Sequence, residues 1–304
     1  METGFLSADN RYLLVTGASG YIGERLARRL AAAGATVAGT YLSNPIAIDG
    51  VDTVPVDLTD ARAAGRLLRD MRPRAIVHAA AMTSVGQCEQ HPEEARAAIL
   101  GSTENLRAAI ETHAPETPLL LFSTDQVFDG ESPPFAEDAP PKPVHLYGSL
   151  KCAAEQVALG LAGGTVLRSA LVYGPPGRFR GSFLSWMHEA LTAGRELTLF
   201  TDEWRTPVFV DDLIEAVQIL LTRPDRRVFH AGGPERLSRV EMGRVFCRVF
   251  GLPGDSIRPV KRSAAAGPVP RLADVSLTCG ALRSLGWRPI NFMDGLARCR
   301  EQWK

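Results

Sequence analysis

Tyr147 and Lys151 are the residues of this chain whose types and spacing best suit acid–base chemistry. On a helix, positions i and i+4 face the same way, so we expect the two side chains to lie together. A phenol has a reference pKa of about 10, and an adjacent ammonium group lowers that pKa by favouring the phenolate. A tyrosine tuned in this way can protonate a developing alkoxide, which is typically worth about 10² to 10⁴ in rate. The spacing therefore predicts Tyr147 as a catalytic acid supported by Lys151, with an exposed surface pair as the alternative.

A hydroxyl group at the end of a predicted strand favours the catalytic interpretation of this pair. The run Phe122-Ser123-Thr124 closes an apolar strand. Thr124 can hold a carbonyl oxygen by a hydrogen bond and so stabilise the charge that develops when hydride reaches the carbonyl carbon. Thr124, Tyr147 and Lys151 together predict a hydride-transfer site.

A glycine-rich turn supplies the third part of such a site. Gly17, Gly20 and Gly23 have the spacing GxxGxxG between a predicted strand and a predicted helix. Glycines allow a tight turn whose N–H groups approach a pyrophosphate, and the helix N-terminus adds favourable partial charge. A glycine pattern alone is weak, but the strand-to-helix context is the one this motif requires. We therefore predict cofactor binding by the turn, including Ser19, Tyr21 and Ile22.

The second predicted strand bears on the choice between the two nicotinamide cofactors. It ends in Thr40-Tyr41-Leu42-Ser43-Asn44, without the acid that would hold an unphosphorylated ribose. The sequence thus favours NADPH, with NADH as the alternative, and predicts Tyr41 and Ser43 beside the ribose. Asp57 and Leu58 follow the third strand, where an adenine ring would pass. A loop-capping role for Asp57 is an equal alternative.

Alternating apolar runs and helical spacings give the predicted architecture. The predicted strands of the first half are Tyr12–Thr16, Ala35–Thr40, Val54–Val56, Ala75–Ala79, Pro118–Phe122 and Thr165–Arg168. The predicted helices between them are Gly20–Ala33, Asp60–Met71, Glu93–His113 and Tyr147–Leu161. This order predicts an α/β fold with a doubly wound parallel sheet. We place a cofactor-binding domain at residues 1–172 and a smaller, mixed substrate-binding lobe at residues 173–304.

Composition narrows the classes of partner and compartment. The chain has 304 residues with 34 basic and 34 acidic side chains, so it carries no electrostatic footprint for nucleic acid or an anionic membrane. Five scattered cysteines without a CxxC pair predict reduced thiols and a cytoplasmic location. No histidine pair has metal-ligand spacing, and we predict no metal site. The apolar stripe on the helix after Tyr147 is assigned to the core, with a homodimer face as the alternative.

These residues resemble a known family. The chain is similar to extended short-chain dehydrogenases/reductases, and among them to the dTDP-4-dehydrorhamnose reductase group. The motifs that carry the resemblance are Gly17–Gly23, Asp57–Asp60, His78–Ala81, Ser123–Gly130, Tyr147-Gly148 with Lys151 and Glu155, Arg168 and Val172–Gly174. They cover the first 175 residues well, and the Ser123–Gly130 stretch is specific to this group and its near relatives.

The resemblance implies a Rossmann core, a nicotinamide cofactor and reduction of a 4-keto-6-deoxy sugar nucleotide. It makes Tyr147 the proton donor, assigns the nicotinamide ribose to Lys151, and places Thr124 and Asp125 at the carbonyl. The cofactor's central part would pass along Ala79, Ala80 and Ala81. The substrate-binding residues implied are Gln126, Phe128 and Arg205. Arg205 would meet a diphosphate, with a solvated loop position as the alternative.

Other functions within the same superfamily stay open. The regulatory beta subunit of methionine adenosyltransferase also resembles this group and works by binding a partner. Leu100 favours that alternative, because the reductases usually have an asparagine there that supports a proton relay. A sugar-nucleotide epimerase is a weaker alternative, since Asp129-Gly130 departs from the epimerase motif. Elimination by a dehydratase is disfavoured because Gln126 cannot ionise where those enzymes carry a glutamate.

Overall fold

The computed structural model describes residues 11–179, 181–223, 225, 227–264 and 269–303. Part of the segment 264–270, which the sequence marks as rich in proline and glycine, lies outside the described residues. The chain divides into two compact units. The first unit runs to residue 123 and adds 145–167 and 217–228; the second unit takes 124–144, 168–216 and the residues from 229 onward. The division at residue 172 stays a prediction, since these units interleave along the chain.

The strands are numbered in chain order. In the described residues they are β1 Leu13–Thr16, β2 Val37–Tyr41, β3 Val51–Pro55, β4 Ala75–His78, β5 Leu119–Thr124, β6 Gly164–Ser169, β7 Val172–Tyr173, β8 Leu197–Phe200, β9 Trp204–Arg205, β10 Val208–Phe209, β11 Val228–Ala231, β12 Leu237–Ser238 and β13 Ile257–Val260.

The helices are numbered in the same way. In the described residues they are α1 Tyr21–Ala32, α2 Ala61–Met71, α3 Val85–Gln90, α4 Pro92–Arg96, α5 Ser102–His113, α6 Leu146–Leu159, α7 Phe183–Thr192, α8 Val210–Thr222, α9 Arg239–Phe250, α10 Gly280–Ser284 and α11 Phe292–Gln302. None of these helices combines the length and the apolar content needed to span a bilayer.

A seven-stranded sheet has the order β11-β6-β5-β4-β1-β2-β3. Leu13 of β1 pairs with Val37 on one side and with Ala75 on the other, both in parallel register. Strands β1, β4 and β5 are buried along their whole length, as parallel strands covered on both faces must be. The predicted α/β class with a doubly wound parallel sheet is confirmed. Because the strand order reverses between β1 and β4, the carboxyl ends of these two strands form the switch point where such folds bind ligands.

The core of the first unit lies between this sheet and its helices. It joins Leu14 and Ile76 of the sheet to helical residues such as Leu68 and Leu106, all of them buried. Each such leucine contributes about 1.5–3 kcal/mol relative to an exposed position. Of the predicted stripe, Leu150, Ala154 and Ala158 on α6 and Leu161 just after it belong to this cluster, and Val157 packs against it partly buried. The stripe therefore packs inward, and a homodimer face stays a prediction.

The helix predicted over Glu93–His113 is interrupted. A π-helical turn at Ala97–Gly101 separates α4 from α5. Such a turn inserts one residue relative to an α-helix and leaves carbonyls to be satisfied in other ways. The buried hydroxyls of Ser102 and Thr103 donate to the carbonyls of Ala98 and Ile99, at 2.8 and 2.7 Å. Apolar periodicity did not predict this turn, although Ile99 and Leu100 within it are both buried.

The second unit is built from short strands around aromatic side chains. Two strand pairs are parallel, β7 with β10 and β8 with β13, and β9 pairs antiparallel with β12. Tyr173, Phe209 and Phe292 pack together, with ring centroids 4.7 Å apart for Tyr173 and Phe292. Trp287 is fully buried and donates its indole N–H to the carbonyl of Asp212 at 2.8 Å. These contacts join β7 and β10 to α11 and anchor Trp287 to α8.

Candidate active site

The glycine turn after β1 lies against the end of β4. Gly17 has φ +70°, a conformation that glycine adopts freely. A Cβ atom at Gly17 would come within 2.9 Å of the backbone of Ala80, and one at Gly23 within 2.2 Å of the carbonyl oxygen of Gly17. The N–H of Gly20 closes the turn on Gly17 O at 2.8 Å. Only glycine fits at Gly17 and Gly23, so the tight turn predicted from the spacing is present.

The turn opens helix α1 without a side-chain cap. Gly20 occupies the N-cap position and offers no side-chain acceptor to the first-turn N–H groups. Ser19, Tyr21 and Ile22 are partly exposed. Arg25 stacks over the ring of Tyr21 at 4.2 Å and donates to its carbonyl at 3.1 Å. Backbone N–H groups at a partly exposed helix N-terminus, reached through glycines, fit the pyrophosphate of a dinucleotide.

The carboxyl ends of β2 and β3 lie side by side. Tyr41 pairs with Pro55, and Ser43 follows in the exposed loop after β2. The Asp57 carboxylate accepts from the N–H and the hydroxyl of Thr59, at 2.9 and 2.7 Å. These bonds favour the loop-capping interpretation of Asp57. Leu58 is buried, and contacts of this region with an adenosine stay predictions.

A buried hydrogen-bond network fixes the end of β4. Thr16 Oγ1 accepts from the N–H groups of Ala79 and Ala80, both at 3.2 Å, and lies 2.7 Å from His78 Nδ1. Because Thr16 accepts two N–H bonds, its own hydrogen goes to Nδ1. The His78 Nε2–H then faces Ser102 Oγ at 3.4 Å. Burial, together with the positive charge of Lys151, lowers the pKa of His78 to about 3, so the imidazole is neutral. Ala79, Ala80 and Ala81 follow as a partly exposed strip beside Gly17.

Tyr147 and Lys151 both lie on α6 and are both buried. Lys151 Nζ donates to the carbonyl of Phe122 on β5 at 2.5 Å. Burial lowers the pKa of Lys151 to about 8, while the charge of Glu155 opposes this shift. The alternative of an exposed surface pair is excluded by this burial. The two residues lie one helical turn apart on α6, which is the spacing that the acid–base prediction requires.

His145 caps the helix that carries this pair. Its Nδ1 accepts from the N–H of Gly148 at 3.0 Å, and Glu89 accepts from the N–H of Leu146 at 2.8 Å. The ring of His145 stacks on Tyr147 with centroids 6.2 Å apart. Burial lowers the pKa of His145, which keeps Nδ1 available as an acceptor. Sequence reasoning missed this residue because histidine is not among the preferred N-caps.

In the second unit, Thr124 and Asp125 begin a short 3₁₀ turn at Asp125–Val127. Thr124 Oγ1 accepts from the N–H of Gln126 and donates to Asp125 Oδ1, both at 3.2 Å. Asp125 Oδ2 is buried and has no hydrogen-bond partner in the described part of the chain. Burial raises the pKa of Asp125 to about 6, and the charge of Arg205 opposes this shift. A buried carboxylate oxygen without a partner is suited to receive a ligand hydroxyl.

Arg205 is held by protein groups. Its side chain is 8% exposed and donates to the carbonyls of Trp204 and Leu272, at 2.6 and 3.4 Å, and to Glu203 at 3.4 Å. Glu203 also pairs with Arg239 at 2.8 Å and with Arg271 at 3.5 Å. Arg271 is 51% exposed and therefore more accessible to an anion than Arg205 is. Sequence reasoning named only Arg205 of this cluster, because Arg239 and Arg271 are far from Glu203 along the chain.

The other predicted substrate residues differ in exposure. Gln126 is partly exposed, whereas Phe128 is fully buried and stacks on Phe135 with centroids 4.2 Å apart. The guanidinium carbon of Arg168 lies over the Phe128 ring, 5.1 Å from its centroid. The structure thus gives Phe128 a packing role in the second unit, and its contact with a substrate stays a prediction. The first unit brings the glycine turn to Ala79 and Ala80 and carries Tyr147 and Lys151 on α6, while the second groups Thr124, Asp125 and Arg205.

Comparison with known proteins identifies relatives along the whole described length. A family profile described as RmlD substrate binding domain matches residues 11–304. The methionine adenosyltransferase 2 subunit beta of Bos taurus is 30% identical over 287 residues, covering 91% of this chain and 83% of that protein. A dTDP-4-keto-6-deoxy-D-glucose reductase of Streptomyces niveus is 30% identical over 280 residues, covering 91% and 92%. A crystal structure of dTDP-4-dehydrorhamnose reductase from Bacillus anthracis in complex with NADP has a TM-score of 0.83 at 22% identity, covering 96% of this chain and 99% of that one. The last likeness establishes a shared fold.

Proposed function

Since the chain belongs to the RmlD substrate-binding domain family, we propose that it is a reductase of a 4-keto-6-deoxy sugar nucleotide that uses a nicotinamide cofactor. The observation that carries the proposal is the buried pair of Tyr147 and Lys151 on α6. The intact Tyr147/Lys151 pair favours an enzyme over a protein that only binds a partner. The reductase of Streptomyces niveus, 30% identical, supports the same substrate class.

The cofactor supplies the hydride, and the protein supplies position and protons. Gly17, Gly20 and Gly23 admit the pyrophosphate to the N-terminus of α1. We assign the adenosine ribose to Tyr41 and Ser43, because the stretch Tyr41-Leu42-Ser43-Asn44 contains no acid that would repel a 2′-phosphate. This favours NADPH over NADH.

The catalytic roles follow from the proton balance. Hydride addition leaves an oxyanion on the sugar, and Tyr147 gives it the phenolic proton. Lys151 favours the resulting phenolate and holds the nicotinamide ribose. For Thr124 and Asp125 we keep the roles that the resemblance implies: the Thr124 hydroxyl exchanges its bond to Asp125 Oδ1 for one to the substrate carbonyl, and Asp125 Oδ2 accepts from a sugar hydroxyl. The exposed guanidinium of Arg271 is better suited to the diphosphate than that of Arg205, whose donors already have protein partners.

A regulatory subunit is the second candidate, because the methionine adenosyltransferase 2 subunit beta of Bos taurus matches the chain equally well. Leu100 favours this candidate, since it replaces the asparagine of the reductase proton relay. In that case the protein would bind the cofactor and a partner without turnover. The epimerase alternative has no comparable observation in its favour. In either case, the free cysteines of the described chain suit a reducing compartment such as the cytoplasm.

The test follows NADPH absorbance with enzymatically generated dTDP-4-keto-6-deoxy sugars. Wild type is compared with Tyr147→Phe, which removes only the phenolic oxygen. The matched control is Tyr12→Phe, which makes the same change where the hydroxyl donates to Asp52 on the protein surface. We expect Tyr147→Phe to lower kcat by about 10² to 10⁴ while NADPH still binds, and Tyr12→Phe to leave kcat unchanged.

Two outcomes would contradict the proposal in different ways. Full activity of Tyr147→Phe would remove Tyr147 from the mechanism. Tight NADPH binding by wild type without turnover of any keto sugar would favour the regulatory subunit, and co-purification with methionine adenosyltransferase would then be examined.

A further inference from the structure

We propose that Glu155 is a positioning residue that keeps the Lys151 side chain protonated, and that this buried pair sets the pH range in which the cofactor binds. The part about cofactor binding rests on the proposed function. The part about the protonation of Lys151 does not, because the charge of Lys151 can be measured without any ligand.

The geometry places both charges inside the first unit. Lys151 and Glu155 stand one turn apart on α6 and are 4% and 1% exposed. A buried ion is costly unless an opposite charge and hydrogen bonds compensate it. Two consecutive residues of β5 provide those bonds. The carbonyl of Phe122 accepts from Lys151 Nζ, and the hydroxyl of Ser123 donates to Glu155 Oε1, both at 2.5 Å.

Glu155 is the negative charge that balances this ammonium. The titratable groups that face Lys151 in the first unit are Tyr147 and Glu155 on its own helix and His78 on β4. Strand β5 presents to it the polar but non-titrating Phe122 carbonyl and Ser123 hydroxyl. His78 adds no charge, since burial holds its pKa near 3. The compensation therefore comes from Glu155.

Loss of that charge has a defined consequence. Burial already lowers the pKa of Lys151 to about 8, and Glu155 opposes the shift. Without Glu155 the amine loses its proton at a lower pH. A neutral amine no longer favours the phenolate of Tyr147, and it binds a ribose hydroxyl more weakly than an ammonium does.

The titration of Lys151 can be followed separately from that of the other lysines. It contains only four lysines, at positions 142, 151, 261 and 304. Labelling the lysine side chains with ¹³C at Cε gives four resonances, and Lys151→Arg identifies the one that belongs to Lys151. Lys142 is an internal control, because its bond to Asp129 raises its pKa above the ordinary value. We expect the Lys151 resonance to titrate near pH 8 in wild type, while the Lys142 resonance stays that of a charged amine well above that pH.

Glu155→Gln is the deciding variant, since the amide keeps the volume and an acceptor for Ser123 but loses the charge. We expect its Lys151 midpoint to fall by about one pH unit or more. Ser123→Ala is the matched control, which removes a hydrogen bond to Glu155 and keeps the charge, so its midpoint stays near that of wild type. A Glu155→Gln midpoint equal to that of wild type would overturn the proposal.

A stability measurement covers the case in which Glu155→Gln folds poorly. An uncompensated ammonium destabilises only while Lys151 is protonated. We expect the stability deficit of Glu155→Gln relative to wild type to shrink between pH 7 and pH 9.5, and Glu155→Asp, which keeps the charge, to recover most of it. A deficit that does not change with pH would assign Glu155 to packing alone and contradict the proposal.

Binding measurements test whether the Lys151/Glu155 pair sets the pH range in which the cofactor binds. NADPH fluorescence gives Kd between pH 6 and 9 for wild type and Glu155→Gln. A midpoint lowered by one unit leaves about fivefold fewer protonated Lys151 side chains at pH 8 and predicts about fivefold weaker binding there, with equal binding at pH 6. Superimposable profiles of Kd against pH for wild type and Glu155→Gln would refute this link between the pair and cofactor binding. Failure of wild type to bind NADPH would instead refute the proposed function and leave the lysine titration intact.

Discussion

Asp125 illustrates how one side chain can be held in a state that suits a ligand and costs stability. Its Oδ2 is buried without a hydrogen-bond partner among the described residues, and burial raises its pKa to about 6. Because the folded state binds this proton more tightly than the unfolded state, the contribution of the carboxyl to stability is complete below its ordinary pKa. That contribution is lost as the pH rises through about 6.

Asp125→Asn should therefore gain stability relative to wild type as the pH rises from 4 to 7. The amide cannot ionise, so it avoids a penalty of at most about 3 kcal/mol. Urea unfolding at the two pH values measures the change, and Asp129→Asn is the control because the Asp129 carboxylate is paired with Lys142 at 2.8 Å. A difference between wild type and Asp125→Asn that stays constant with pH would contradict the raised pKa.

Tyr147, Lys151 and Arg205 differ in how much of their surroundings the sequence predicts. Tyr147 and Lys151 could be paired from spacing alone, because helix geometry relates them locally. The surroundings of Arg205 could not be inferred, because its acceptor carbonyl on Leu272 stands 67 positions away. The sequence offered two alternatives for Arg205, a contact with a diphosphate and a solvated loop position. Neither predicts that Arg205 is buried, because its burial arises from tertiary contacts.

At the scale of elements, helix α6 depends on an imidazole at its start. His145 Nδ1 accepts from Gly148, and the lowered pKa of His145 means that the folded state resists its protonation. Its stabilising effect is therefore complete above the ordinary imidazole pKa and is lost as the pH falls. We expect His145→Ala to cost about 1 kcal/mol at pH 7.5, as the loss of an N-cap typically does.

His145→Asn separates capping from titration. Asparagine can cap the helix but does not ionise, so its stability relative to wild type should increase on going from pH 7.5 to 5.5. Thermal unfolding of the three proteins at both pH values gives the comparison. A constant difference between His145→Asn and wild type would show that the cap does not titrate.

The glycine turn makes a second prediction at this scale. Gly23→Ala places a Cβ atom 2.2 Å from Gly17 O, so the turn must open. We expect a destabilisation of about 2 kcal/mol or more and at least tenfold weaker NADPH binding. Gly86→Ala on α3 is the control, since an added Cβ there meets no atom within 4 Å, and it should be neutral or slightly stabilising. Normal binding by Gly23→Ala would remove the turn from the cofactor site.

Element boundaries were predictable where burial is continuous and less so elsewhere. Strands β1 and β4 were found within one residue because both are unbroken apolar runs. Strand β3 begins three residues earlier than predicted, at Val51, and lies at the sheet edge. Its Asp52 is exposed and accepts from the hydroxyl of Tyr12 at 2.6 Å. Central parallel strands are recognised by a continuous apolar run, and a polar residue inside an edge strand interrupts that run.

On the scale of the whole molecule, the interleaved chain path makes a prediction about fragments. Residues 1–172 lack the segment 217–228 of the first unit. They thereby lose the bonds from Thr165 to the carbonyl of Asp225, at 2.8 Å, and from Val166 N–H to that of Arg227, at 3.1 Å. We expect this fragment to show no cooperative thermal transition, whereas the full chain does. A sharp transition in the fragment would mean that residues 1–172 fold as a domain.

The same path has a consequence for biosynthesis. The ribosome completes the glycine turn early, but the first unit cannot close until residue 228 has left the exit tunnel. By then the segments 124–144 and 168–216 of the second unit have also been translated, so both units fold over the same late interval. Until that moment β6 lacks its partner at 227–228 and presents an unpaired edge, the kind of surface that nascent-chain chaperones shield.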